Sequence, residues 1–370
     1  MAIGEAESWA GEAAQRDAAP GSAAVVADFL EKALDLLRRI PAARRAALGL
    51  NDRIDVLRLK LLDAGERAVG EMKTYTTRGP DIGAHIAEAV AAVQGKPAVD
   101  ALRAFCAMYG GPVAANHRAE AEHLLQDNPL RQLFAGTLFS GDGRVIKKIP
   151  AAGGVDAAED HAARVWGQMV GSFNQTTVQM IVHLVVRALD VLRLEHNLQL
   201  DDFVTLARNS PIVPPDRAFL FGKGLYAGYC WDFVTALHIL LPQIENLVRF
   251  HLKNAGEHTT NLKDGISTEM GLSSLVTRGK MIPVFGEDMT FEIRAVFCDA
   301  GGPNLRNELA HGLLSERACE SASGIYAWYF ALRIVFGFFW NAQRPPRPAD
   351  AADGDAEPEG EEPAPDPGAE

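Results

Sequence analysis

Cysteine is scarce in this chain of 370 residues, and its four cysteines, Cys106, Cys230, Cys298 and Cys319, show no Cys-x-x-Cys spacing. That scatter argues against a disulfide framework or a structural zinc site, and reduced thiols in a cytoplasmic protein are the expectation. A bilayer-length apolar run is also missing. The most hydrophobic stretch, Ile325 to Trp340, is 16 residues with Arg333 inside it, short of the roughly 20 that a span needs. It is expected to be a buried terminal helix, and no membrane partner is predicted. The N-terminus has acids where a signal peptide needs bases, so export is not indicated. No His-Glu-x-x-His spacing occurs, and His117 and His123 are six apart, on separated helix faces. Metal-dependent hydrolysis therefore has little behind it, and no metal or other cofactor is expected. Gly222-Lys223-Gly224 lacks the glycine spacing of a P-loop, the Ser/Thr after the lysine and a preceding strand. Basic charge is short as well. The chain carries a net charge of -12, of which -7 falls in residues 341–370, leaving -5 for the first 340. A mildly acidic body argues against a protein that coats nucleic acid generally, though not against a local basic groove.

What is present is helical periodicity over most of the length, at 48% hydrophobic content. The Ala/Gly/Glu-rich residues 1–21 read as a disordered N-terminus and the Pro/Glu/Asp-rich residues 341–370 as a disordered acidic tail. Residues 22–150 form an N-terminal helical region, with Pro41 ending its first helix and Asn51 placed to cap the second. Within it a short helix over NPLRQLF, a Gly-Asp-Gly turn and RVIKKI, the one strand-like piece, come before a flexible joint at 151–155. Residues 151–213 supply connecting helices, chiefly one long pattern from Asp156 to about Leu194. Asp232 is placed to cap a helix that Pro242 should kink and Gly256 should end. The fold class predicted is all-α, a multi-helix array.

Within that array the unusual text is NLRNELAHGLL, from Asn304 to Leu314. Gly301-Gly302-Pro303 breaks the preceding element, Asn304 is placed to cap a new helix, and Leu305, Leu309 and Leu313 mark one buried stripe. Asn307 and His311 are four apart and share a face, while Arg306 lies about 140° around the helix from His311. Gly312 weakens a helix interior by about 1 kcal/mol against alanine, which predicts close packing against another backbone, in this chain or a second copy of it. Upstream, Glu245 and Arg249 are four apart on an otherwise apolar helix and form an intrahelical pair.

Three blocks carry a resemblance: GKGLYAGYCWDFVTALHILLPQIENLVR, FGEDMTFEIRAVF and NLRNELAHGLL, in that order. Together they look like the domain-of-unknown-function family with an Arg-Asn-x-x-x-His-Gly signature, over about residues 214–340. The signature also fits the wider HEPN superfamily pattern. The resemblance implies a C-terminal HEPN-like helical bundle at 214–340 that forms a homodimer and brings two motifs together. Many such domains are metal-independent RNases of toxin, phage-defence or RNA-processing systems, and others have lost catalysis. By carry-over Arg306, Asn307 and His311 are the catalytic positions, with Glu245 and Arg249 as a supporting polar pair.

The chemistry asks for those groups. Cleaving RNA without metal requires a base for the 2′-hydroxyl proton, an acid for the leaving oxygen and a cation near the phosphorane. Histidine titrates near neutrality and arginine holds two phosphate oxygens at once. One histidine supplies one proton-transfer partner, so two copies of His311 complete the set. RNA is then the expected substrate and partner, and the sequence does not identify an inhibitor or antitoxin. The alternative is a non-catalytic helical dimerisation or binding module in which the motif is an interface polar network.

Overall fold

Alanine spacing shapes the first element. In the computed structural model, which describes residues 2–73, 79, 81–128, 135–140, 143–151 and 157–344, α1 (Ala2–Arg16) buries Ala6, Ala10 and Ala13. That smooth stripe lies against α2 (Ala23–Arg38) and α4 (Leu50–Glu71), which contribute Leu30, Leu34, Leu37, Ile54 and Leu57; α3 (Ala42–Ala47) joins them. The expectation of disorder over residues 1–21 is thereby corrected. The scarcity of large apolar side chains there hides the fact that a one-sided alanine stripe lets two helices approach closely. Arg53 pairs with Glu7 at 2.6 Å and Arg67 with Asp17 at 2.5 Å, tying the middle of α1 and the residue after its C-terminal end to α4.

Three helices follow, α5 (Gly83–Val93), α6 (Ala98–Ala107) and α7 (Ala114–Asp127). The strand expected at RVIKKI is β2 (Val145–Ile149), paired antiparallel with β1 (Gly136–Phe139). The helix expected at NPLRQLF and the joint at 151–155 fall almost entirely outside the described residues. The long pattern from Asp156 is α8 (Ala157–Ser172), a π turn (Phe173–Thr177) and α9 (Val178–Glu195), followed by α10 (Leu200–Arg208).

Gly222-Lys223-Gly224 lies inside α11 (Ala218–Tyr229). A Cβ at Gly222 would come within 2.6 Å of the Val204 Cα, so this glycine is there to let α10 and α11 touch. α12 (Phe233–Asn254) begins with Asp232 accepting the Thr235 N–H at 2.9 Å and contains Pro242. Gly256, at φ +80°, lies just past its end. An unforeseen hairpin follows, β3 (Thr260–Lys263) with β4 (Ile266–Glu269), turned by Asp264-Gly265 with both residues at positive φ. The chain continues through α13 (Leu272–Leu275), α14 (Met281–Ile293) with its π turn (Arg294–Cys298), α15 (Leu305–Ala310), α16 (Glu316–Cys319) and α17 (Ala322–Ala342).

The described residues are thus all-α apart from two short hairpins. A second, larger core draws on Phe105 from α6, Leu189 from α9 and Trp328 from α17. It takes side chains from all three spans 22–150, 151–213 and 214–340, and the smaller cluster ends at Ala64. α17 runs for 21 residues, long and apolar enough to cross a membrane by length and composition, and 67% of its most apolar stretch is buried against the rest of the chain. Its most deeply buried Tyr and Trp side chains have satisfied polar tips, as such burial requires. Trp328 Nε1 donates to the Leu225 carbonyl at 3.0 Å and the Tyr326 hydroxyl to Glu292 at 2.6 Å. Arg333 holds both Glu292 oxygens at 2.6 Å each.

Candidate functional site around the Arg-Asn-His element

α15 is shorter than its sequence pattern suggests, six residues from Leu305 to Ala310. Asn304 occupies the capping position with φ +50°, a left-handed conformation that asparagine tolerates better than most residues. Its side chain caps no backbone N–H. Instead its Oδ1 accepts the Asn307 Nδ2–H at 2.8 Å. Leu305 is buried and Leu309 packs on the core, but Leu313 is exposed, so the stripe ends with the helix.

The helix stops at His311 and Gly312, where φ reaches +69°. Gly312 N–H donates to the Leu309 carbonyl at 3.0 Å and Leu313 N–H to the Glu308 carbonyl at 2.8 Å. This paired bonding past a left-handed residue is the way a glycine closes a helix. Close packing at Gly312 is not found within the chain, since a Cβ there would meet nothing within 4 Å. The glycine answers to backbone conformation.

Arg306 turns to α12. Its Nε donates to Glu245 Oε2 at 2.5 Å and its Nη1 to Asn307 Oδ1 at 3.3 Å. The other Glu245 oxygen accepts from Arg249 Nη2 at 2.8 Å, and Leu272 N–H donates to Oε2 at 3.0 Å. Arg249 also donates to the Met270 carbonyl at 2.5 Å and pairs with Glu269 at 2.9 Å. Burial alone would raise the Glu245 pKa; the bonds from Arg306, Arg249 and the Leu272 amide outweigh it and hold the carboxyl below its ordinary value. Four sequence-selected residues, Glu245, Arg249, Arg306 and Asn307, therefore form one network joining α12 to α15.

The segment Glu269 to Leu272 completes this network and escaped sequence reasoning. Gly271 admits the arginine: a Cβ there would stand 2.9 Å from Arg306 Nη2. An Asp-Gly turn flanked by short strand text was the available signal for the hairpin that delivers this segment. Cys298 lies nearby, its thiol pushed up to about 12 by burial despite a bond to Ser273 and the field of Arg306. Such a thiol is a poor nucleophile.

His311 stands apart from the network. It is exposed, and no side-chain hydrogen bond or ion pair joins it to Arg306, Asn307 or Glu245; only its backbone N–H reaches the Asn307 carbonyl, at 3.1 Å. A groove of about 600 Å³ runs along α15, with Asn304, Leu305, Glu308, Arg317 and Ser321 in its walls; Arg306, Asn307 and His311 do not line it. Among the described residues no three His, Cys, Asp or Glu side chains converge as metal ligands would.

Comparison of the chain with protein-family profiles, curated proteins and solved structures finds no match.

Proposed function

We propose that this chain is a cytoplasmic, metal-independent endoribonuclease of the HEPN type, working as a homodimer in a toxin or phage-defence role. The observation that carries the reading is an oriented guanidinium on a short helix with an exposed imidazole at that helix's C-terminal end. Arg306 is oriented by Glu245 and Asn307, whereas the His311 side chain is exposed and unpartnered among the described residues. In the reaction proposed, His311 of one copy takes the 2′-hydroxyl proton as that oxygen attacks phosphorus. His311 of the other copy gives a proton to the departing 5′-oxygen, and Arg306 stabilises the charge on the phosphorane. The products are a 2′,3′-cyclic phosphate and a 5′-hydroxyl end.

The test is incubation of the purified full chain with RNA in the presence of EDTA, beside His311→Ala. Cyclic-phosphate ends made by the wild type and lost in the variant are the expected result. A folded, dimeric wild type that cuts no RNA, or a variant that cuts as well, overturns the reading.

A second reading has its own support. Glu245, Glu269, Arg249 and Arg306 neutralise one another, which suits a helical dimerisation or binding module whose motif is a structural network. Under it, Arg306→Ala weakens stability or self-association while His311→Ala changes no biological effect.

A further inference from the structure

A second cleft lies between α7 and α14, closed at its base by α8, with a volume of about 400 Å³. Trp166, Met169 and Phe291 give it an apolar floor. Trp166 is held in place because its Nε1–H donates to Asp299 Oδ2 at 2.5 Å and its ring meets Phe291 edge-on at 5.7 Å.

On this floor lies the guanidinium of Arg294, 3.9 Å from the centroid of the Trp166 ring. Half-buried arginines are ordinarily paired with a carboxylate or a row of carbonyls. Arg294 has neither among the described residues. The acid whose field reaches it is Asp299, already bound by Lys147 Nζ at 2.6 Å and by the Gly301 amide at 2.7 Å. Burial pulls the Arg294 pKa down, as expected of a cation short of a counter-charge. The cleft thus offers a half-buried cation over the Trp166 ring, its N–H donors unbonded among the described residues, above a hydrocarbon floor.

The rim narrows the choice of anion. Arg118 and Glu122 come from α7 and Glu287 from α14; Arg118 and Glu287 are exposed, Glu122 is half-buried, and none is ion-paired among the described residues. Two carboxylates at the mouth repel a dianion more strongly than a monoanion. We propose that this cleft binds a small monocarboxylate with an apolar body, its carboxylate bidentate on Arg294 and its hydrocarbon part on Trp166, Met169 and Phe291. The site is separate from the Arg306 network, and the proposal does not rest on the nuclease reading.

Isothermal titration of the full chain with 3-phenylpropionate tests it, with 3-phenylpropionamide and phenyl phosphate as neutral and dianionic controls. Millimolar or tighter binding of the carboxylate, weakened at least about tenfold by either control, is expected. Arg294→Gln should abolish it. Ala119 lines the cleft on an exposed face of α7, so Ala119→Leu should block the floor with Arg294 intact and the fold retained by circular dichroism. No carboxylate binding by the folded wild type, equal binding of the amide or the phosphate, or binding that survives Ala119→Leu overturns the proposal.

Discussion

Glu245 on α12 and Arg306 on α15, 61 positions apart, meet through a hydrogen-bonded ion pair of 2.5 Å, with side chains only 15% and 26% exposed. Because Glu245 also receives Arg249 and the Leu272 amide, one carboxylate ties together α12, the end of the β3–β4 hairpin and α15. Arg306→Ala should lower stability by about 1–3 kcal/mol, the cost of leaving part of a buried polar network unsatisfied. Urea unfolding of the two single variants and the double variant with Glu245→Gln measures the coupling. Additive single effects would show that the pair does not act as a unit.

Gly312 offers a sharper contrast. Its surroundings are empty but its φ is +69°, so Gly312→Ala should cost about 1–2 kcal/mol through backbone strain alone. Asparagine, which accepts this conformation more readily, should cost less. Thermal unfolding that ranks alanine equal to glycine would refute this account.

The Glu292–Arg333 pair is the most deeply buried ion pair among the described residues, with side chains 2% and 12% exposed. Removing one partner leaves the other charge stranded, so Arg333→Leu should destabilise by about 3–5 kcal/mol. Adding Glu292→Leu should return much of that loss. Chemical denaturation of the three variants checks the order.

Acid should weaken the fold in two stages. His117 sits between Phe173 and Phe291, ring centroids 5.4 Å from each, and burial lowers its pKa. Its neutral form is favoured in the folded state, so its contribution is complete above its unfolded value, about 6.5, and is lost as pH falls below that. Glu245 and Asp299 are held below ordinary carboxylate values despite burial, Asp299 chiefly by bonds from Lys147 and Trp166. Their stabilisation is present above about pH 4 and disappears as pH falls through the lowered values. Melting temperature followed from pH 7 to 3 should drop gently at first and then steeply. A rise between pH 7 and 5 would contradict the assignment.

Local signals made most helices readable. Asp232 as a cap, Gly256 as a stop and the period from Asp156 act over one or two turns, so neighbouring residues suffice to express them. The disorder expected over residues 1–21 was misread because the stabilising partner of the alanine stripe lies on α2 and α4. The Glu245–Arg249 spacing marked a pair, but nothing along the chain announced that Arg306 would join it or that His311 would stay outside.

The sequence by itself determined a mostly helical chain and a helix start at Asn304 and Leu305 that carries Arg306 and Asn307, because each depends on backbone preferences within a few residues. Only the tertiary structure decided that Glu245 would hold Arg306, that Gly271 would make room for the guanidinium, and that Arg294 would lie uncovered on Trp166. Those outcomes depend on which distant surfaces are brought within hydrogen-bonding reach, and spacing along the chain carries no record of that.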